Sequence, residues 1–117
     1  MDKRLTGILG ERLVAKWYQD NGYQLLTVNY RTRFGEIDVI AKKKNLVAII
    51  EVKTRKNDKF SKAMEAVTYS KQQKIKSAAM QFIALNGFDD FNIRFDVAEV
   101  YTQGEKPEIN IIENAFE

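Results

Sequence analysis

The sequence predicts an α/β fold, a mixed β-sheet flanked by helices in the order α-β-β-β-α-β. Two segments, one near the start and one in the second half, repeat apolar residues at helical spacing, and each ends at an Asn-Gly pair. Three runs rich in β-branched and aromatic residues stand between them, and a fourth follows the second helix. At 117 residues the chain suits one domain over 1–117, with no internal repeat, low-complexity tract or linker.

The first helix is expected from about Leu5 to Asp20. Leu5, Leu9, Leu13 and Trp17 recur every four residues, Ile8 and Val14 widen the stripe, and Asn21-Gly22 supplies the stop. Gly7 and Gly10 each weaken such a helix by about 1 kcal/mol relative to Ala, so they mark places where another backbone or a ligand comes close. Tyr23 to Arg31 reads as a strand and Thr32-Arg33-Phe34-Gly35 as a turn. Glu36 to Lys42 and Leu46 to Thr54 follow as strands, and the short link around Lys43-Lys44-Asn45 makes them an antiparallel hairpin. Arg55 to Phe60 is expected as a polar loop, and Ser61 to Ala66 could add a turn of helix. The second helix runs from an N-cap at Thr68 to Asn86, with Ile75, Ala78, Ala79, Phe82 and Ile83 as its apolar stripe. Phe91 to Tyr101 is apolar on both faces, as a strand inside a sheet should be, and Ile109-Asn110-Ile111 reads as a short edge strand.

Composition narrows the chemistry. The chain has no cysteine and no histidine. That excludes disulfides, thiolate nucleophiles, Cys- or His-ligated metals and any Ser-His-Asp triad. A metal would need oxygen ligands, which favours Mg²⁺, Mn²⁺ or Ca²⁺. No apolar run reaches the roughly 20 residues of a membrane span. The start, Met1 to Leu5, leads into a periodic segment with Glu11 and Arg12 and does not resemble a signal peptide, so a cytoplasmic protein is expected. Residues 42–76 hold eleven basic and three acidic side chains, whereas residues 77–117 hold two basic and eight acidic. The formal net charge of +3 therefore conceals a middle third at +8, the footprint of a polyanion partner or of a solvated lysine-rich surface.

Gly35 to Ile40 and Ile49 to Lys53 carry the densest signal. Side chains alternate along a strand, so Glu36, Asp38 and Ile40 share one face, and Val47, Ile49, Glu51 and Lys53 another. A two- or four-residue loop pairs positions whose numbers sum to an odd value, and every such register puts Asp38 and Glu51 on the same face. Pairing Lys43 with Leu46 would set Asp38 opposite Glu51 and Glu36 opposite Lys53. Two carboxylates about 4 Å apart at an effective dielectric near 20 repel by about 4 kcal/mol. Lys53 offsets part of that, and a divalent cation offsets more. Carboxylate pair, lysine and basic surroundings together describe metal-dependent phosphodiester hydrolysis. A same-face Glu-x-Lys pair is also a common surface salt bridge worth under about 1 kcal/mol, which is the plainer reading of Glu51 and Lys53 alone.

An Asp on one strand and Glu-x-Lys on the next resembles the PD-(D/E)xK restriction-endonuclease-like superfamily. The chain is similar to one branch in particular, the YraN-like family of small predicted nucleases. The resemblance rests on Gly7-x-x-Gly10-Glu11-x-x-x-Ala15, Asn29 to Gly35-Glu36-Ile37-Asp38, Glu51-Val52-Lys53-Thr54-Arg55, Ala66-Val67-Thr68-x-x-Lys71-Gln72-Gln73-Lys74 and Arg94-Phe95-Asp96-Val97. It implies a restriction-endonuclease-like fold in which Asp38, Glu51 and the Val52 backbone carbonyl hold Mg²⁺ or Mn²⁺ and Lys53 assists catalysis. Archaeal Holliday-junction resolvases place a Glu on the first helix beside the metal, and Glu11 matches that position. Ile37 stands where the superfamily has proline.

Arg31, Arg33, Arg55, Lys56, Lys71, Gln72 and Lys74 are the candidate nucleic-acid contacts. Lys71 and Gln72 lie one turn before Ile75 and should point toward the sheet at the positive end of the helix, where a phosphate is favoured. Arg94 and Asp96 share a strand face as a structural ion pair. Trp17, Tyr18 and Tyr30 are expected in the core, and Phe60 could stack on a base. The expected function is a metal-dependent nuclease acting on DNA, branched or single-stranded, with DNA ahead of RNA as partner and a homodimer suited to symmetric junctions. The alternatives are a catalytically silent nucleic-acid-binding module of the same fold and an adaptor whose basic face docks an acidic protein.

Overall fold

The structure is a computed structural model that describes residues 3–55, 67–102 and 104–117. Its elements run α1 (Lys3–Asp20), β1 (Gln24–Arg31), β2 (Glu36–Lys43), β3 (Leu46–Arg55), α2 (Tyr69–Asn86), β4 (Asn92–Tyr101) and β5 (Glu108–Phe116). The strands form one sheet in the order β1-β2-β3-β4-β5. All neighbours are antiparallel except β3 and β4, which run parallel because α2 carries the chain back between them. This is a mixed α/β architecture compatible with the restriction-endonuclease-like fold. Expected features at Lys56, Phe60 and Ser61 to Ala66, and the Lys59 and Lys62 charges, lie outside the described residues.

The two helices cover opposite faces of the sheet. Ile75, Ala78, Ala79, Phe82 and Ile83 of α2 pack on Ile40, Val47, Ile49 and Val97, and the predicted stripe is the buried one. Thr68 caps this helix, its side chain accepting from the Lys71 N–H, and Gly87 closes it at φ 73° in the left-handed region.

On the other face Val14, Ala15 and Tyr18 of α1 meet Val39, Ala41, Ala48, Ile50, Ala98 and Val100. Here the sequence expectation holds only in part. Val14 of the predicted stripe is buried and Leu13 and Trp17 pack against the same cluster, but Ile8 and Leu9 are exposed, and Gly10, Ala15 and Tyr18 join the sheet-facing side. Small residues win this face because α1 lies close to β3: a Cβ on Gly10 would come 2.5 Å from Thr54 Oγ1.

The edge strand also differs, since β5 extends over nine residues where three were expected. It is held at Phe116 against Phe95 as well as along Ile109 to Ile112. Beneath it Asp96 is fully buried and fully partnered. It accepts from Tyr18 Oη at 2.7 Å, from Arg94 through two nitrogens at 2.8 Å each, and from the Asn114 N–H at 3.1 Å. Arg94 and Asp96 are thus the structural ion pair that their shared face implied.

Candidate functional site

The β2–β3 hairpin has the register that a two-residue loop imposes, Lys43 opposite Leu46 and so on to Val39 opposite Ile50. Lys44 takes the left-handed conformation at φ 55° to close it. The recorded backbone pairing stops at Val39 and Ile50, and the next facing positions are Asp38 and Glu51. There the Asp38 side chain takes over from the ladder, with Oδ2 accepting the Val52 N–H at 2.8 Å. One carboxylate is therefore fixed to the neighbouring strand by a backbone donor, while the Val52 carbonyl belongs to the same short stretch of β3.

Glu51 is the buried member of the pair, its side chain 6 % exposed. Lys71, in the first turn of α2, reaches across to place Nζ 2.6 Å from Glu51 Oε1, and Lys53 Nζ lies 3.5 Å from the same oxygen. Glu11 enters from α1, where the Asn29 amide donates to its Oε2 at 2.9 Å. Glu11, Asp38, Glu51, Val52, Lys53 and Lys71 line one pocket of about 180 Å³. Four elements therefore converge on it: α1, β2, β3 and the start of α2.

Burial pushes the Asp38 carboxyl up to about 7, and the Glu51 charge adds to that shift. Burial also raises Glu11. Lys53 is lowered, first by burial and then by the neighbouring Lys71 ammonium. At Lys71 burial works downward, but the Glu51 carboxylate outweighs it and the net shift is upward. Crowded, part-buried carboxylates held off their ordinary values are the electrostatic condition under which a hard cation is welcome. Asp38, Glu51 and Glu11 supply the oxygen donors that could hold one. As the side chains stand, no group of three or more acidic residues among those described is gathered closely enough to form a ready-made cation cluster.

A second, wider groove of about 490 Å³ adjoins the pocket and shares Glu36 and Lys71 with it. Arg31, Thr32, Thr68, Ser70 and Lys74 complete its charged and hydroxyl lining. Gly35 lets the β1–β2 turn close against α2, for a Cβ there would sit 2.9 Å from the Lys74 carbonyl oxygen. The Glu36 side chain pairs across the other edge of β2, with β1. It turns outward to Arg31 at 3.5 Å and stands at the rim of both cavities.

The other basic candidates diverge. Arg33 is exposed and lies over the Phe34 ring. Arg55 ends β3 with its Nε buried and without a hydrogen-bond partner among the described residues. Gln72 donates its amide to the Val67 carbonyl at 3.0 Å and so braces the entry to α2.

Two participants were missed from sequence: Lys71 as the nearest partner of Glu51, and Asn29 as the brace of Glu11. Asn29 carried a faint signal, an asparagine inside a strand, where its φ of 53° now shows the left-handed conformation asparagine tolerates.

Comparison with known proteins places these features in a wider group. The profile of the uncharacterised protein family UPF0102 matches residues 10–100, which include Glu11, Asp38, Glu51, Lys53 and Lys71. A UPF0102 protein of Alkaliphilus metalliredigens is 44% identical over 116 residues, covering 99% of this chain and all of that protein. One from Thermodesulfovibrio yellowstonii is 44% identical over 107 residues, 92% of this chain and 91% of its own length. A third, from Caldanaerobacter subterraneus subsp. tengcongensis, is 40% identical over 119 residues, 99% of this chain and 98% of that one.

Proposed function

The chain belongs to the uncharacterised protein family UPF0102, and from that premise we propose that it is a metal-dependent nuclease that hydrolyses phosphodiester bonds of DNA. One observation carries the reading: Asp38 and Glu51 meet at the end of the β2–β3 ladder in a small polar pocket that also holds Lys53. A structural salt bridge needs one carboxylate and one ammonium, and it gives no reason to bury a second carboxylate beside the first.

The donor set suits Mg²⁺ or Mn²⁺, being all oxygen, with Asp38 and Glu51 as the principal ligands and Glu11 and the Val52 carbonyl alongside. When bound, the cation supplies Lewis acidity toward a phosphodiester and its attacking water. Lys53 stands at the pocket with an ammonium that can donate to a non-bridging phosphate oxygen as negative charge grows there. Glu11, steadied by Asn29, approaches from the opposite side and can orient a water or accept its proton. Arg31, Lys71 and Lys74 along the adjoining groove give the polyanion its footing.

A second reading, a silent nucleic-acid-binding module, is favoured by the 2.6 Å contact of Lys71 with Glu51, which neutralises the carboxylate without any cation. The two readings separate on a panel of labelled single-stranded, duplex and branched DNA, with RNA in parallel. The nuclease reading expects cleavage with Mg²⁺ or Mn²⁺ that chelator abolishes. Salt-sensitive binding with no cleavage under any metal condition overturns it in favour of the silent module.

A further inference from the structure

Two ammonium groups address a single carboxylate oxygen in the pocket, and they are not equivalent. Lys53 projects from the sheet and its side chain is 19 % exposed, whereas Lys71 lies at the start of α2 and is 41 % exposed. Lys71 is the nearer of the two to Glu51, and it alone of the two also lines the adjoining groove, with Arg31, Thr68, Ser70 and Lys74. Its flexible four-carbon stem can carry the charge from one cavity to the other without moving the helix. A cation arriving at Glu51 meets the Lys71 ammonium already in place at 2.6 Å, and repulsion between the two positive charges sets them in competition for that oxygen.

We propose that Lys71 is a positioning residue, a tethered cation that holds Glu51 in line until a divalent cation displaces it, and that its freed ammonium then takes a phosphate in the adjoining groove. This rests on the reading of the pocket as a divalent-cation site. Lys71 thereby links the two events: the cation releases the ammonium that the phosphate needs, and a bound phosphate draws away the ammonium that obstructs the cation. Such coupling is reciprocal by thermodynamic necessity.

The test is Mn²⁺ binding by calorimetry to metal-free wild type, Lys71→Gln, Lys71→Arg and Asp38→Asn, each first shown to melt cooperatively. Removing the competing ammonium should tighten Mn²⁺ binding in Lys71→Gln by about two- to fivefold, the size expected for a half-exposed ion pair. Lys71→Arg, which keeps the competing charge and can pair with the carboxylate at least as firmly, should show no such tightening. In a second arm, oligo(dT) binding followed by fluorescence anisotropy should strengthen when Ca²⁺ is added to wild type and lose that response in Lys71→Gln. Unchanged or weaker Mn²⁺ binding in Lys71→Gln, with binding abolished in Asp38→Asn, overturns the role of Lys71 and leaves the cation site standing. Absence of Mn²⁺ binding in both wild type and Lys71→Gln overturns the cation site as well. Equal responses to Ca²⁺ in wild type and Lys71→Gln overturn the transfer to phosphate.

Discussion

Asp38 is an acid whose pKa in the folded protein, about 7, lies above its ordinary value of 3.8 because burial and the Glu51 charge disfavour its ionised form. The folded state therefore holds this proton more tightly than the unfolded chain does. Its contribution to stability is fully present below about pH 4 and is lost as the pH rises through about 7. Metal-free protein should accordingly lose melting temperature across that window, and Asp38→Asn should lose less, the difference between the two curves isolating this carboxyl. Saturating Mn²⁺ should reverse the wild-type trend, because a cation favours the ionised form. A wild-type curve parallel to that of Asp38→Asn would show that the carboxyl titrates normally. Asp96 lies away from the pocket, with both oxygens partnered and no solvent access. Arg94→Met leaves that charge buried and uncompensated and should cost about 3–5 kcal/mol in denaturant unfolding. Tyr18→Phe removes one of several donors to that buried carboxylate and should cost about 1.5–3 kcal/mol.

At the scale of elements, the glycines of α1 separate two effects that a helix propensity scale merges. Gly10→Ala drives a methyl toward Thr54 Oγ1 and should destabilise by about 1–3 kcal/mol, measured by urea unfolding. Gly7→Ala meets nothing within 4 Å and should stabilise by up to about 1 kcal/mol through the unfolded chain. This contrast also explains where the sequence was legible. The α2 stripe could be read because Ile75, Phe82 and Ile83 dominate the buried face and its caps are local chemistry. The α1 face was legible only toward its C-terminal half, at Leu13, Val14, Trp17 and Tyr18; near Gly10 contact with β3 selects small residues, and Ile8 and Leu9 stand on the exposed side. Parity alone put Asp38 and Glu51 on one face for any short loop, and the two-residue loop then set which positions face each other. That Lys71 outreaches Lys53 for Glu51 depends on where the crossover sets α2 down, and no local pattern encodes it. The length of β5 was hidden for a similar reason, since its Phe116 pairing with Phe95 lies beyond a register shift.

Across the whole molecule, charge is arranged by function of place. The basic middle third supplies β3 and the start of α2, which meet at the pocket and its groove, while the acidic last third supplies β4 and β5. Among the described residues no helix is long and apolar enough to cross a membrane. Oligonucleotide binding should fall steeply as salt rises, since displaced counterions drive it. Lys74→Ala should reduce the salt slope by about one contact while leaving Mn²⁺ affinity unchanged. The central claim joins this basic groove to the carboxylate pair in one hydrolytic site, and single-turnover cleavage of labelled DNA tests it most directly. Wild type, Glu51→Ala and Lys53→Met are purified in parallel and matched for oligonucleotide binding. The account predicts Mg²⁺- or Mn²⁺-dependent cleavage by wild type and loss of about a hundredfold or more in each variant with binding retained. Equal cleavage by all three proteins would contradict it.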